Sequence, residues 1–152
     1  KSIHNRLYWQ NRHYIALGVG AHGFIPSEEP WGIRFHYPRS INKIIDCANK
    51  PESDHQNPQI ILQTLGAILE ERGPKEWLYE YITAAMRTAD GLNLNRVQTV
   101  SNYRFVPTQF IKTALEAEQI TLSTCGTLKL SPTEWFRENA WCLELSECFK
   151  GF

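Results

Sequence analysis

Between Tyr14 and Gly23 the sequence reads Tyr-Ile-Ala-Leu-Gly-Val-Gly-Ala-His-Gly, and nothing else in the chain narrows its folding options as far. A short apolar run closed by Gly18 and Gly20 predicts a strand over 14–19 buried on both faces. It should run into a loop that needs close backbone approach, the setting in which glycine is tolerated best. Just ahead of it, His4, Asn5, Tyr8 and Trp9 place an imidazole and two aromatic rings within six residues. Ligands gather where strands of a helix-covered sheet end, because backbone groups are free there. A histidine and stacking rings before such a strand, with glycines after it, suit a large flat ligand.

The rest of the chain divides by its punctuation. Residues 24–38 are rich in Pro, Gly and aromatics and predict irregular chain, with at most an extended hairpin around Ile33 to His36. Ser40 predicts the cap of a helix carrying Ile41, Ile44 and Ile45 on one face. The polar break Pro51 to Pro58 is read as a boundary, with a linker over 53–58 between domains at 1–52 and 59–152. Helices are expected from Pro58 up to Gly73-Pro74 (Ile61, Leu62, Leu65, Ile68 and Leu69 as a stripe) and over 75–88 (Trp77, Leu78, Tyr81, Ile82, Ala85 and Met86 inward), with Gly91 as a left-handed stop. A helical turn over 94–97 and a helix over 108–118 should follow. Two alternating runs around Gly126 predict a hairpin, and Ser131-Pro-Thr-Glu134 reads as a capping box that opens a last helix with Trp135, Phe136, Trp141 and Leu145.

Composition sets limits on function. The chain has 152 residues, enough for one good core or parts of two. Sixteen basic and sixteen acidic side chains cancel, so no overall field draws it to nucleic acid or an anionic membrane surface. No apolar run approaches the roughly 18 residues of a membrane-spanning helix. The cysteines at 47, 125, 142 and 148 form neither Cys-x-x-Cys nor a cluster-binding triad, which points to reduced thiols and a cytoplasmic setting.

Three segments carry a family resemblance. His4-Asn5-x-x-Tyr8-Trp9, the loop Leu17-Gly18-Val19-Gly20-Ala21-His22-Gly23 and the segment Ala85-Met86-Arg87-Thr88-Ala89-Asp90-Gly91-Leu92 resemble, in order, segments of the oxygen-independent coproporphyrinogen III oxidase family of radical S-adenosylmethionine proteins. The first resembles its haem-chaperone (HemW-like) branch more closely. Val19 stands where that family usually has proline, and Asp90 where it has glutamate. The resemblance implies an α/β fragment, the last strands and helix of a radical S-adenosylmethionine partial barrel. A small, mainly helical accessory domain with one hairpin, winged-helix-like in layout, should follow. It also implies haem as ligand, with S-adenosylmethionine and a [4Fe-4S] cluster held by a longer parent whose cluster cysteines lie upstream of Lys1. The chain's abrupt opening on a motif is what such a piece would show.

On that resemblance His4 would give an axial nitrogen to haem iron, with Asn5, Tyr8 and Trp9 around the macrocycle; read as residues alone, His4 and Asn5 could equally satisfy backbone groups while the rings pack. Gly18, Gly20, Ala21 and His22 would approach S-adenosylmethionine or close the barrel mouth, with a structural His22 equally in keeping. Gly18-x-Gly20-x-x-Gly23 also fits a dinucleotide fingerprint, but Phe24-Ile25-Pro26 cannot readily start the helix that fingerprint requires. Arg87 and Asp90 read as helix capping and a local ion pair, His13, His36 and His55 as solvent or loop residues, and Trp31, Arg34 and Tyr37 as an outer pocket. The implied function is haem delivery to acceptor haemoproteins. The rivals are a coproporphyrinogen oxidase parent and a winged-helix-like module docking on protein. Nucleic acid is disfavoured because Glu134 to Cys148 holds Arg137 alone against four glutamates.

Overall fold

A computed structural model describes residues 7–49, 57–70 and 72–151. The chain is mixed α/β with small antiparallel sheets, and it forms two compact units, His13–Arg72 and a second made of Lys1–Arg12 with Gly73–Phe152. The linker expected over 53–58 falls largely outside the described residues, and the units divide at 12/13 and 72/73.

In the first unit, β1 (His22–Ile25), β2 (Ile33–His36) and β3 (Ile68–Glu70) form an antiparallel sheet in the order β1-β2-β3. Pairing His22 with His36 and Phe35 with Leu69 sets its two faces. Phe35 and Leu69 join Ala16, Tyr37, Leu62 and Ala67 in the core, whereas His22, His36 and Glu70 share the other face. Gly23 is required at its position, since a Cβ there would fall 2.2 Å from the Phe35 ring.

The run 14–19 departs from expectation. It makes one isolated bridge, Tyr14 to Phe24, and is not a strand buried on both faces. Ala16 is buried, but Ile15 and Leu17 are 76% and 86% exposed, because only one side of the run meets this unit's core. No parallel pair of the kind a barrel uses occurs among the described strands. The helix expected from Pro58 up to Gly73-Pro74 is also split. Asn57 caps it as predicted, its Oδ1 accepting from Gln59 N at 2.9 Å. It stops at Thr64, Gly66 turns left-handed (φ +81°), and Ile68–Glu70 is taken up by the edge of β2. In the helix Ile41–Ala48, Ser40 is extended but gives no side-chain cap; Ile44 packs on the core while Ile41 and Ile45 are exposed.

The second unit follows the sequence closely. The helix Pro74–Met86 opens with Glu76 Oε2 accepting from Gly73 N at 3.0 Å, and all six expected side chains are buried. After Gly91 (φ +77°) come β4 (Leu92–Asn93), the helix Leu94–Ser101, β5 (Tyr103–Phe105) and the helix Gln109–Glu116, capped by Thr108. The predicted hairpin forms as β6 (Ile120–Leu122) and β7 (Thr127–Leu130). Its second strand also pairs with β4, giving the order β4-β7-β6, and β8 (Phe149–Gly151) pairs with β5. Phe110 faces outward in part, tilted against Trp141.

The capping box at Ser131 does not form. Pro132–Arg137 is a 3₁₀ turn, Ser131 makes no side-chain cap, and Glu134 is buried, its Oε2 accepting from Trp141 Nε1 at 3.0 Å and Arg137 Nη1 at 3.3 Å. A buried indole N–H needs an acceptor, and that demand outweighs the gain from a cap. Trp135 and Phe136 are consequently left exposed, and the last helix, Glu138–Ser146, buries Trp141 and Leu145. No described helix is long and apolar enough to cross a membrane.

Candidate functional site

His4 and Asn5 lie outside the described residues. Tyr8 and Trp9 close a helical turn, their rings edge-to-face at 5.0 Å. The chain then bends at Asn11, which adopts φ +50° with its amide bonded to Tyr8 O at 3.0 Å. Arg96 secures this bend by donating from Nη1 to Gln10 O (2.9 Å) and from Nη2 to Asn11 O (3.4 Å). Its guanidinium rests on the Tyr81 ring, 4.6 Å from the centroid, an arrangement that fixes a cation without a carboxylate. Beside it opens a cavity of about 240 Å³ lined by Trp9, Arg12, Tyr81, Asp90, Arg96 and Thr127, among others.

Arg87 and Asp90 do not pair with one another. Arg87 lies over Trp9 (5.9 Å), donates from Nη2 to Asn139 Oδ1 at 2.8 Å and stands 3.8 Å from Glu138, while Asp90 accepts from Gln10 Nε2 at 3.0 Å. Both therefore belong to the surroundings of Trp9. Sequence reasoning took Tyr81 for core alone and missed Arg96. The signal available for Arg96 was a solitary arginine on a helix that follows directly on the Ala85–Leu92 segment.

The glycine loop lies in the other unit. Gly18 and Gly20 take φ +105° and +66°, values that disfavour any side chain. A Cβ on Gly18 would meet nothing within 4 Å, so its backbone is open to approach, whereas Gly20 backs onto the Arg39 stem. Ala21 packs against the core. Strand β1 starts at His22 and no helix opens at Gly23, which removes the dinucleotide fingerprint. Of the outer pocket expected from Trp31, Arg34 and Tyr37, Tyr37 is core and its phenol is pushed to higher pKa by burial; Arg34 lies over Phe24 at 5.9 Å.

His22 instead meets two side chains that sequence reasoning left unconnected. Its ring stacks on His36 (5.3 Å, 27°), and both Nδ1 atoms approach one oxygen of Glu70, at 3.9 Å from His22 and 3.5 Å from His36. His36 was read as a solvent or loop residue, and Glu70 fell in a predicted helix end; only strand pairing across 48 residues brings them together.

No family model, curated protein or solved structure matches the chain.

Proposed function

We propose that the chain is the C-terminal part of a haem-binding, chaperone-like radical S-adenosylmethionine protein that passes haem to acceptor proteins. One observation carries the reading: two of the three segments on which the resemblance rests, one around Trp9 and one from Ala85 to Gly91, line the same cavity. Side chains that matched a family pattern separately in sequence thus share one surface.

The residues there suit the edge of a tetrapyrrole. The Trp9 indole offers a stacking face, and the Arg12 and Arg96 guanidiniums are the cations that propionates pair with best. At about 240 Å³ the cavity is below the usual few hundred Å³ of a small-molecule pocket, so it would take one rim of the macrocycle and leave the rest outside. Haem iron takes imidazole readily, and His4, four residues before Tyr8 in sequence, would supply it. The open space at Gly18 fits a nucleoside drawn close to backbone. A [4Fe-4S] cluster does not fit this chain, which has no cysteine triad; the chain alone is not catalytic on this reading. The exposed Ile15, Leu17 and Ile41 support the barrel-end assignment, since barrel strands and their helices are covered by neighbours.

Haem titration followed by Soret absorption tests the proposal. His4→Ala and Trp9→Ala should each weaken binding at least tenfold, and an unaltered His4→Ala titration would remove the axial role. Coproporphyrinogen turnover by the reconstituted longer protein would move the assignment to the oxidase branch.

A second reading has its own support. Three helices interleaved with a sheet in the order β4-β7-β6 support a winged-helix-like reading. The helix before the hairpin, Gln109–Glu116, has Lys112 as its one cation and half-exposed Phe110 on its surface, which suits docking on protein and not on phosphates.

A further inference from the structure

We infer that His22, His36 and Glu70 form a binding site for a divalent first-row transition-metal ion. The site does not depend on the tetrapyrrole reading, although that reading also gives His22 a place near S-adenosylmethionine.

Sheet register builds the site. His22 and His36 are directly opposite on β1 and β2, and Glu70 on β3 lies diagonally from His36, two residues beyond its partner Ile68. All three side chains therefore rise from the same face, on three adjacent hydrogen-bonded strands. Their ligand atoms lie within 4.8 Å of one another. Two bonds of about 2.1 Å meeting at a tetrahedral angle separate their donor atoms by about 3.4 Å; His36 Nδ1 and Glu70 Oε1 already stand at 3.5 Å. The His22 side chain is 57% exposed, with room to move in from its present 3.9 Å separation from Glu70 Oε1.

The polar inventory points the same way. His36 Nδ1 is shut off from solvent and has no hydrogen-bond partner among the described residues. It faces a carboxylate oxygen, which only accepts, and a second imidazole whose Nδ1 converges on that oxygen. Two imidazole nitrogens converging on one carboxylate oxygen make a donor set that a cation would satisfy. Two imidazoles and one carboxylate are the donor set of Zn²⁺, Fe²⁺, Co²⁺ and Ni²⁺, not of Mg²⁺ or Ca²⁺, which favour oxygen ligands. Three protein donors leave positions open for water or a substrate oxygen, as in metal sites that act on ligands.

Calorimetric titration of the chain with Zn²⁺ and Co²⁺, with Mg²⁺ as control, is the test. Saturable one-to-one binding of the first two and none of Mg²⁺ is expected, with a cobalt absorption spectrum showing nitrogen ligation. His22→Ala and Glu70→Gln should each lower affinity at least as much as the roughly ten- to hundredfold that losing an outer-shell partner costs. Both changes lie at partly exposed positions, so melting of the metal-free variants, expected to match the parent, separates lost ligation from lost fold. Absence of saturable binding at millimolar metal would overturn the site. Binding that persists undiminished in both variants would also overturn it and assign the ion to the thiols.

Discussion

The two units spend similar apolar sequence to different ends. The unit of residues 73–152 hides Trp77, Leu78, Ile82, Leu92, Val97, Ile111, Ile120, Leu128, Trp141 and Leu145 almost completely. The unit of residues 13–72 buries a smaller set around Phe35 and Tyr37 and leaves Ile15, Leu17, Ile41 and Ile68 half or more exposed. Its polar side chains His22, His36 and Glu70, in contrast, converge on the sheet face opposite Phe35, which also carries the buried Phe24. Apolar periodicity forecasts burial only where the same unit supplies a second layer, and the helices of 73–152 supply one while the three short strands of 13–72 cover a single face.

The contrast is most sharply tested in the larger core. Trp77, 2% exposed and stacked on Tyr81, should on Trp77→Ala cost about 3–5 kcal/mol, read as a lower melting temperature of residues 73–152. A small shift for Trp77→Ala would erase the distinction between the units.

Next in size is the buried polar pair. Glu134→Leu leaves Trp141 Nε1–H without its acceptor and should cost about 1–3 kcal/mol in denaturant unfolding. An unchanged midpoint would show that the indole N–H finds water, and that this core is less closed than its burial implies.

Thiol chemistry probes local openness without unfolding. Hydrogen bonds from Ser123, then Thr127, hold the exposed Cys125 thiol below its ordinary pKa, whereas burial pushes Cys142 above it. Only the thiolate is alkylated. On raising pH, Cys125 should therefore begin to react before Cys142, and Ser123→Ala should move the Cys125 profile to higher pH, as mapped by mass spectrometry. Equal profiles would remove the assigned cause.

The smallest effect belongs to the exposed run. Leu17→Ser, at a position 86% exposed, should change stability by no more than about 0.5 kcal/mol. A larger loss would mean that this side of 13–72 is covered, contrary to its surface here.

Much of the residue 73–152 unit was legible beforehand. Its six inward helix positions, the left-handed Gly91, the Thr108 helix and the Ile120–Leu130 hairpin all follow from local period and turn chemistry. The Ser131 box failed because its glutamate had a stronger nonlocal claim on it, the Trp141 indole. In 13–72 the double-sided strand failed because its neighbours, which period alone takes for granted, are not in this unit.

In residues 73–152 local residue choice settled where most helices begin, that Gly91 turns the chain and which side of Pro74–Met86 is apolar, because those preferences act within a turn or two. Which distant groups meet was decided by pairing and packing alone: Arg96 at the backbone of Gln10 and Asn11, Trp141 on Glu134, and two imidazoles at Glu70 from strands up to 48 residues apart. Such meetings depend on sheet register and on which buried donor lacks an acceptor, and both quantities exist only once the chain has closed on itself.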